Sequence, residues 1–77
     1  MMNVEILTPD KTLFNGIVEV LTLPGMNGSF QILENHAPLI ANLGKGTVSI
    51  KVGNSIENFE VKGGLVEVLK NKVVVLV

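Results

Sequence analysis

The chain has no cysteine, tyrosine, tryptophan or arginine, and it holds a single aspartate and a single histidine. Without cysteine, neither a disulfide nor a thiolate metal site can stabilise the fold. Six lysines and three phenylalanines supply neither the positive charge nor the aromatic platforms of a nucleic-acid-binding protein. These absences leave few groups that could carry catalysis, so the function has to be sought in the surfaces.

Long hydrophobic segments are also missing, because no apolar run approaches the ~18 residues that span a bilayer. The N-terminus lacks the basic and apolar regions of a signal peptide. The 77 residues suffice for one domain, residues 1–77. Hydrophobic residues make up 47% of this chain and its mean hydropathy is +0.48. A core this small cannot easily hide so much apolar surface, so we expect a partner to cover part of it.

Turn-forming residues are spread evenly along the chain, and the gaps between them are too short for helices. Apolar and polar residues alternate in the segments 3–6, 47–52 and 58–62, as they do in strands. The denser apolar segments 17–23 and 65–69 predict strands that are covered on both faces. The pair Gly53-Asn54 predicts a tight hairpin turn, and residues 70–72 predict a turn between the last two strands. The pattern favours an all-β sandwich or flattened barrel of short, mostly antiparallel strands.

His36 is the obvious candidate for a chemical role. It has no second histidine or cysteine with which to build a zinc site, and no nucleophile is placed to use it as a base. Two interpretations remain: a hydrogen bond from the ring to a backbone carbonyl, or a contact with a partner.

Two other features could suggest a ligand. The segment Gly25-Met26-Asn27-Gly28 lacks the lysine and the following helix of a phosphate-binding loop, so two turns beside a strand explain it better. Lys45 lies between Gly44 and Gly46, which predicts a turn. The modified lysine of a lipoyl or biotinyl carrier also lies in a turn, but the short motif around that lysine is absent here. A stand-alone ligand-binding or carrier β module is therefore the alternative function.

A series of short segments carries a family resemblance. They follow one another in this order: Phe14-Asn15-Gly16, Leu23-Pro24-Gly25, Gly28-Ser29-Phe30-Gln31-Ile32-Leu33, His36-Ala37-Pro38-Leu39, Gly46-Thr47-Val48-Ser49-Ile50 and Gly63-Gly64-Leu65-Val66-Glu67-Val68. Over about Val4 to Leu76 the chain resembles the N-terminal β domain of the ε-subunit family of bacterial F-type ATP synthases, to which chloroplast ε and mitochondrial δ also belong. The resemblance implies a β-sandwich of about ten short strands.

The same resemblance implies a function without bond chemistry. A member of this family is a non-catalytic central-stalk subunit that links γ to the c-ring and so supports proton-driven rotary ATP synthesis. It would have no catalytic, cofactor or metal site. It would lie at the cytoplasmic face of the bacterial plasma membrane as a peripheral part of F1, meeting the membrane only indirectly through the c-ring.

The resemblance also assigns surfaces, position by position. The loop that resembles the c-ring-facing loop consists of Gly25, Met26, Asn27, Gly28, Ser29 and Phe30. The positions that resemble the γ-facing side are Thr8, His36, Ala37, Pro38, Leu39 and Ala41. The chain departs from the family at Gln31 and Asn35, where glycine is frequent.

Most family members continue into a two-helix C-terminal hairpin, which in some of them binds ATP and blocks rotation. The sequence contains no such hairpin. If the 77 residues are the natural length, hairpin-mediated inhibition and ATP sensing are expected to be lost.

Overall fold

The computed structural model describes residues 1–77 as nine β-strands without a helix. The strands are β1 (Met2–Leu7), β2 (Thr12–Val18), β3 (Val20–Gly25), β4 (Gly28–Ile32), β5 (His36–Leu43), β6 (Gly46–Val52), β7 (Ser55–Val61), β8 (Gly64–Lys70) and β9 (Lys72–Leu76). All neighbouring strands are antiparallel except β1 and β9. The predicted all-β fold is confirmed, with nine strands where about ten were expected.

The strands form one continuous sheet in the order β2-β1-β9-β8-β5-β3-β6-β7, with β4 paired to β3. β5 and β3 share a single residue pair, Leu43 with Gly25, and the sheet turns there. We call the strands before this junction (β2, β1, β9, β8, β5) the larger layer. The strands after it (β4, β3, β6, β7) form the smaller layer.

Alternation along the strands builds one core between the two layers. In β1, for example, Met2, Val4 and Ile6 are fully buried, while the residues between them point outwards. Every strand contributes to a single cluster of 15 buried apolar side chains: Met2, Val4, Ile6, Val18, Leu21, Leu23, Ile32, Leu43, Val48, Ile50, Val61, Val66, Val68, Val73 and Val75. No polar or charged side chain is buried, so packing alone holds the core.

The expectation of strands covered on both faces is wrong. Residues 17–23 are divided at Glu19, which lies between β2 and β3. Its N–H donates to the Lys51 carbonyl over 2.9 Å, and its carboxylate accepts from Gly53 N–H. Ile17 and Leu69, which belong to these dense segments, are 53% and 58% exposed. The segments are therefore buried on one face only, and their outer apolar side chains lie in solvent.

Both predicted turns are present. Val52 pairs with Ser55, so Gly53-Asn54 forms the β6–β7 turn, and Gly53 has the φ of +60° that such a turn requires. Leu69 pairs with Lys72 across the β8–β9 turn. The Asn71 side chain accepts a hydrogen bond from the Asn35 N–H (2.7 Å) and donates one to the Asn35 side-chain oxygen (2.9 Å). This exchange ties the β8–β9 turn to the β4–β5 turn.

The turns between the strands lie at two opposite ends of the molecule, which we call the lower end and the upper end. At the lower end, Val77 N–H donates to the Leu7 carbonyl (2.9 Å) and Gly44 N–H to the Pro24 carbonyl (2.8 Å). This end holds the β1–β2, β3–β4, β5–β6 and β7–β8 turns. At the upper end, Asn3 N–H donates to the Asn71 carbonyl (2.8 Å), and the Met1 amino group pairs with Glu34 (2.5 Å).

Candidate docking surfaces

The segment predicted to face the c-ring is the β3–β4 hairpin at the lower end. Gly25 pairs with Gly28, and Met26 and Asn27 form the turn between them. Gly28 completes the reversal of the chain with a φ of +127°, which favours glycine. Met26, Asn27 and Ser29 are exposed, whereas Phe30 packs against the core. The hairpin thus presents one thioether and two small polar side chains on a rigid base.

The base of this hairpin leaves no room for a side chain at Gly25. A Cβ there would lie 2.7 Å from the Gly28 oxygen and 2.9 Å from the Phe30 ring. We therefore expect Gly25→Ala to lower the free energy of unfolding by about 1–3 kcal/mol, measured by urea denaturation. The control is Gly44→Ala, whose Cβ would have its nearest neighbour at 3.5 Å. A smaller loss at Gly25 than at Gly44 would contradict this account.

Ala41, one of the γ-facing positions, lies beside the hairpin. The half-buried Ala41 and the hairpin residues Met26 and Phe30 line one open cleft of about 440 Å³. The structure therefore brings together residues that the resemblance assigns to two different partners.

The other γ-facing positions lie on both flanks of the larger layer. Thr8 follows β1 at the lower end, where its hydroxyl accepts the Lys11 N–H over 3.0 Å. His36 begins β5 and pairs with Lys70 at the upper end. Thr8 and His36 thus lie at opposite ends of the layer. Only a partner that covers most of the face between them could contact both.

His36 makes a local hydrogen bond. Its Nδ1 lies 2.7 Å from the carbonyl oxygen of Ala37, so Nδ1 carries the proton and donates. Nε2 makes no hydrogen bond within the protein and could bond to a partner. Both interpretations of His36 that the sequence allows are compatible with this geometry.

The outer face of the larger layer carries apolar side chains among polar and charged ones such as Asn3, Glu5 and Lys72. Leu7 pairs with Leu76, and Leu76 pairs with Leu65, so that three leucines form a row across β1, β9 and β8. The next row contains Glu5, Val74, Glu67 and Ile40. We call the outward apolar side chains of this layer the leucine face: Leu7, Ile17, Ile40, Leu65, Leu69, Val74 and Leu76. Thr8 and Pro9 border the face at a hollow of about 360 Å³ that Leu7 and Leu76 also line.

The outer face of the smaller layer is different. Its central row is polar, and consists of Gln31, Thr22, Ser49 and Asn58. The Ser49 hydroxyl donates to the Asn58 side-chain oxygen (2.5 Å), and the Thr47 hydroxyl donates to Glu60 (2.6 Å). Since these groups already bond to one another or to water, this face gains less from being covered by a partner.

The titratable side chains of the chain are scattered over its surface. No three histidine, cysteine, aspartate or glutamate side chains are grouped, and the exposed Lys45 lies in the β5–β6 turn. No helix is long and apolar enough to cross a membrane. Sequence reasoning missed the leucine face because its members come from five different strands. Only the register in which these strands pair would have located the leucine face.

Comparison with protein families gives a match over residues 1–77 to the β-sandwich domain of the ATP synthase δ/ε chain. The chain is 45% identical over 75 residues to a protein named ATP synthase epsilon chain from Leptospira borgpetersenii, covering 97% of this chain and 59% of the relative. It is 41% identical over 73 residues to a protein of the same name from Chlorobaculum tepidum, covering 94% and 83%. The chain thus spans little more than half the length of the Leptospira relative.

Solved structures share the fold. A chain in the central stalk and c-ring of the Tetrahymena thermophila mitochondrial ATP synthase superposes with a TM-score of 0.81 at 24% identity, over 97% of this chain and 61% of the other. A chain of the Euglena gracilis mitochondrial ATP synthase gives a TM-score of 0.91 at 17% identity, over 97% and 49%. At these identities the similarity concerns the fold alone.

Proposed function

The chain belongs to the ATP synthase δ/ε chain family, and from that premise we propose that it is a non-catalytic central-stalk subunit that links γ to the c-ring. Rotation of the ring would reach γ through this rigid domain, which would move torque and make or break no bond. On this proposal the chain works at the cytoplasmic face of the bacterial plasma membrane, peripheral to it and in contact with it only through the ring.

The observation that carries the γ half of the proposal is the leucine face. It lies between Thr8 on one flank and β5 on the other, and the family resemblance assigns to γ both Thr8 and the β5 residues His36, Ala37, Pro38, Leu39 and Ala41. A standard interface buries ~800 Å² on each partner, against a total surface of 4716 Å² for this chain. Covering the leucine face would remove from solvent four of the nine large apolar side chains that are exposed: Ile17, Ile40, Leu69 and Leu76. Glu5 and Glu67 on this face favour basic residues on the partner.

The c-ring half of the proposal is supported by the β3–β4 hairpin. Its turn lies at the lower end, away from the upper half of the leucine face, so two partners could bind at once. Met26 is 69% exposed at the tip, more than any other large apolar side chain of the chain. A hairpin with a close-packed base and an exposed apolar tip suits a contact that must transmit force.

Two isoleucines with nearly equal exposure provide a matched test of the γ surface. Ile40 is 66% exposed on the leucine face, and Ile56 is 65% exposed on β7 of the smaller layer. We expect Ile40→Lys to weaken binding to purified γ by at least about tenfold in calorimetry, because it buries a charge in an apolar interface. Ile56→Lys should leave the affinity unchanged. Equal losses, or no co-elution of the unmodified chain with γ on size exclusion, would refute the proposed surface.

A second pair of variants separates the ring contact from the γ contact. Ser29→Glu should weaken binding to the isolated c-ring while leaving the affinity for γ unchanged, since Ser29 is exposed on the hairpin. His36→Ala should do the reverse. Ala41 is unsuitable for this test because it lines the cleft beside the hairpin. If Ser29→Glu and His36→Ala both reduced the two affinities equally, the assignment of separate surfaces would be wrong.

A further inference from the structure

The chain contains two Asn-Gly sequences, and the fold places them in opposite environments. Asn15-Gly16 lies inside β2, where Asn15 pairs with Glu5 and Gly16 with Val4. Asn27 lies in the β3–β4 turn and Gly28 begins β4, where it pairs with Gly25 at the end of the hairpin; both residues are exposed. The Asn27 side chain makes no hydrogen bond to the protein, and a Cβ at Gly28 would meet no atom within 4 Å beyond the neighbouring residues of the chain.

We propose that Asn27 is a site of spontaneous deamidation, with water as the only co-reactant. The backbone nitrogen of Gly28 gives up its proton and attacks Cγ of the Asn27 side chain. A nitrogen–carbon bond forms, the side-chain carbon–nitrogen bond breaks, and ammonia leaves. Water then adds to one of the two carbonyls of the five-membered imide and opens it to an aspartate or an isoaspartate at position 27.

The geometry selects this residue because the cyclisation needs free rotation. The Asn27 side chain and the Gly28 amide must turn towards each other, which at this exposed hairpin opens no more than its last residue pair, Gly25 with Gly28. In β2 the same rotation would require the strand to open locally first. A local opening free energy of about 1.4 kcal/mol slows the reaction about tenfold, so Asn15 acts as the internal comparison.

The product would change the hairpin in two ways. It adds a negative charge, taking the formal net charge of −1 to −2. Isoaspartate also lengthens the backbone by one carbon within the turn that Gly25 and Gly28 close. If the hairpin contacts the c-ring, which rests on the proposed function, the modification would weaken that contact and the bound ring would in turn shield Asn27. The reaction in the free chain depends on neither.

The test follows isoaspartate in the purified chain at mildly alkaline pH and body temperature, by enzymatic methylation and by peptide mass spectrometry. We expect position 27 to react at least about ten times faster than position 15 in the folded chain, and the two rates to converge in concentrated urea. Asn27→Gln should remove most of the signal, and Asn15→Gln should leave it unchanged. Equal rates in the folded chain, faster reaction at position 15, or signal that persists in Asn27→Gln would overturn the proposal.

Discussion

Gly64→Ala is expected to leave most of the chain unfolded at physiological temperature. Gly64 begins β8 with a φ of +151°, which L-residues rarely adopt, and a Cβ there would lie 2.1 Å from the Leu76 carbonyl oxygen. Its next contacts are also backbone, at 3.1 Å in Leu76 and Val77. Backbone strain of this kind costs about 1–3 kcal/mol, and the overlap adds to it. A domain of this length has a free energy of unfolding of only about 4–12 kcal/mol.

A second glycine separates the overlap from the backbone strain. Gly28 also has a strongly positive φ, +127°, but its added Cβ would meet nothing within 4 Å. Gly28→Ala should therefore show the strain alone and remain folded, with a urea midpoint somewhat below that of the unmodified chain. Far-UV circular dichroism and urea titration of both variants measure the difference. If Gly64→Ala were as stable as Gly28→Ala, the end of β9 would have to move away at little cost.

The sequence predicts those parts of the fold that depend on residues close to one another along the chain. Alternation over 47–52 suffices to place β6, and Gly53-Asn54 suffices to place the turn after it, because both depend on contacts within a few residues. The break at Glu19 could not be predicted in this way. The segment from Ile17 to Leu21 contains no glycine or proline, and the chain turns there because Glu19 bonds to Lys51 and Gly53, more than thirty residues away.

The two candidate surfaces also differ in how far the sequence predicts them, for the same reason. The hairpin from Gly25 to Phe30 is a local feature, so the resemblance and the turn signals both locate it. The leucine face is not local: Leu7, Leu65 and Leu76 become neighbours only through the pairing of β1, β9 and β8. Composition indicates that surplus apolar surface exists, but only the register shows that four of the nine exposed large apolar side chains, Ile17, Ile40, Leu69 and Leu76, share the outer face of one layer. For the same reason the sequence could not show that Ala41 faces the hairpin.

Leu21→Ala should be nearly as damaging as Gly64→Ala, but through loss of packing. Leu21 is fully buried in β3 and pairs with Ile32 on one side and Ile50 on the other, both members of the core. Because β3 is hydrogen-bonded to β4 on one side and to β6 on the other, the backbone cannot close the space and the cavity persists. Such a change costs about 2–5 kcal/mol.

The measured consequence should be a fall in melting temperature of roughly 10–30 °C, because a domain of this size loses several degrees per kcal/mol. The control removes the same atoms from the surface: Leu69→Ala, at a side chain that is 58% exposed on the leucine face, should change the melting temperature of the free chain only slightly. The same Leu69→Ala variant should nevertheless weaken binding to γ. On the proposal that γ binds the leucine face, Leu21→Ala should affect stability and Leu69→Ala should affect binding, so variants that failed to separate the two effects would contradict the proposed surface.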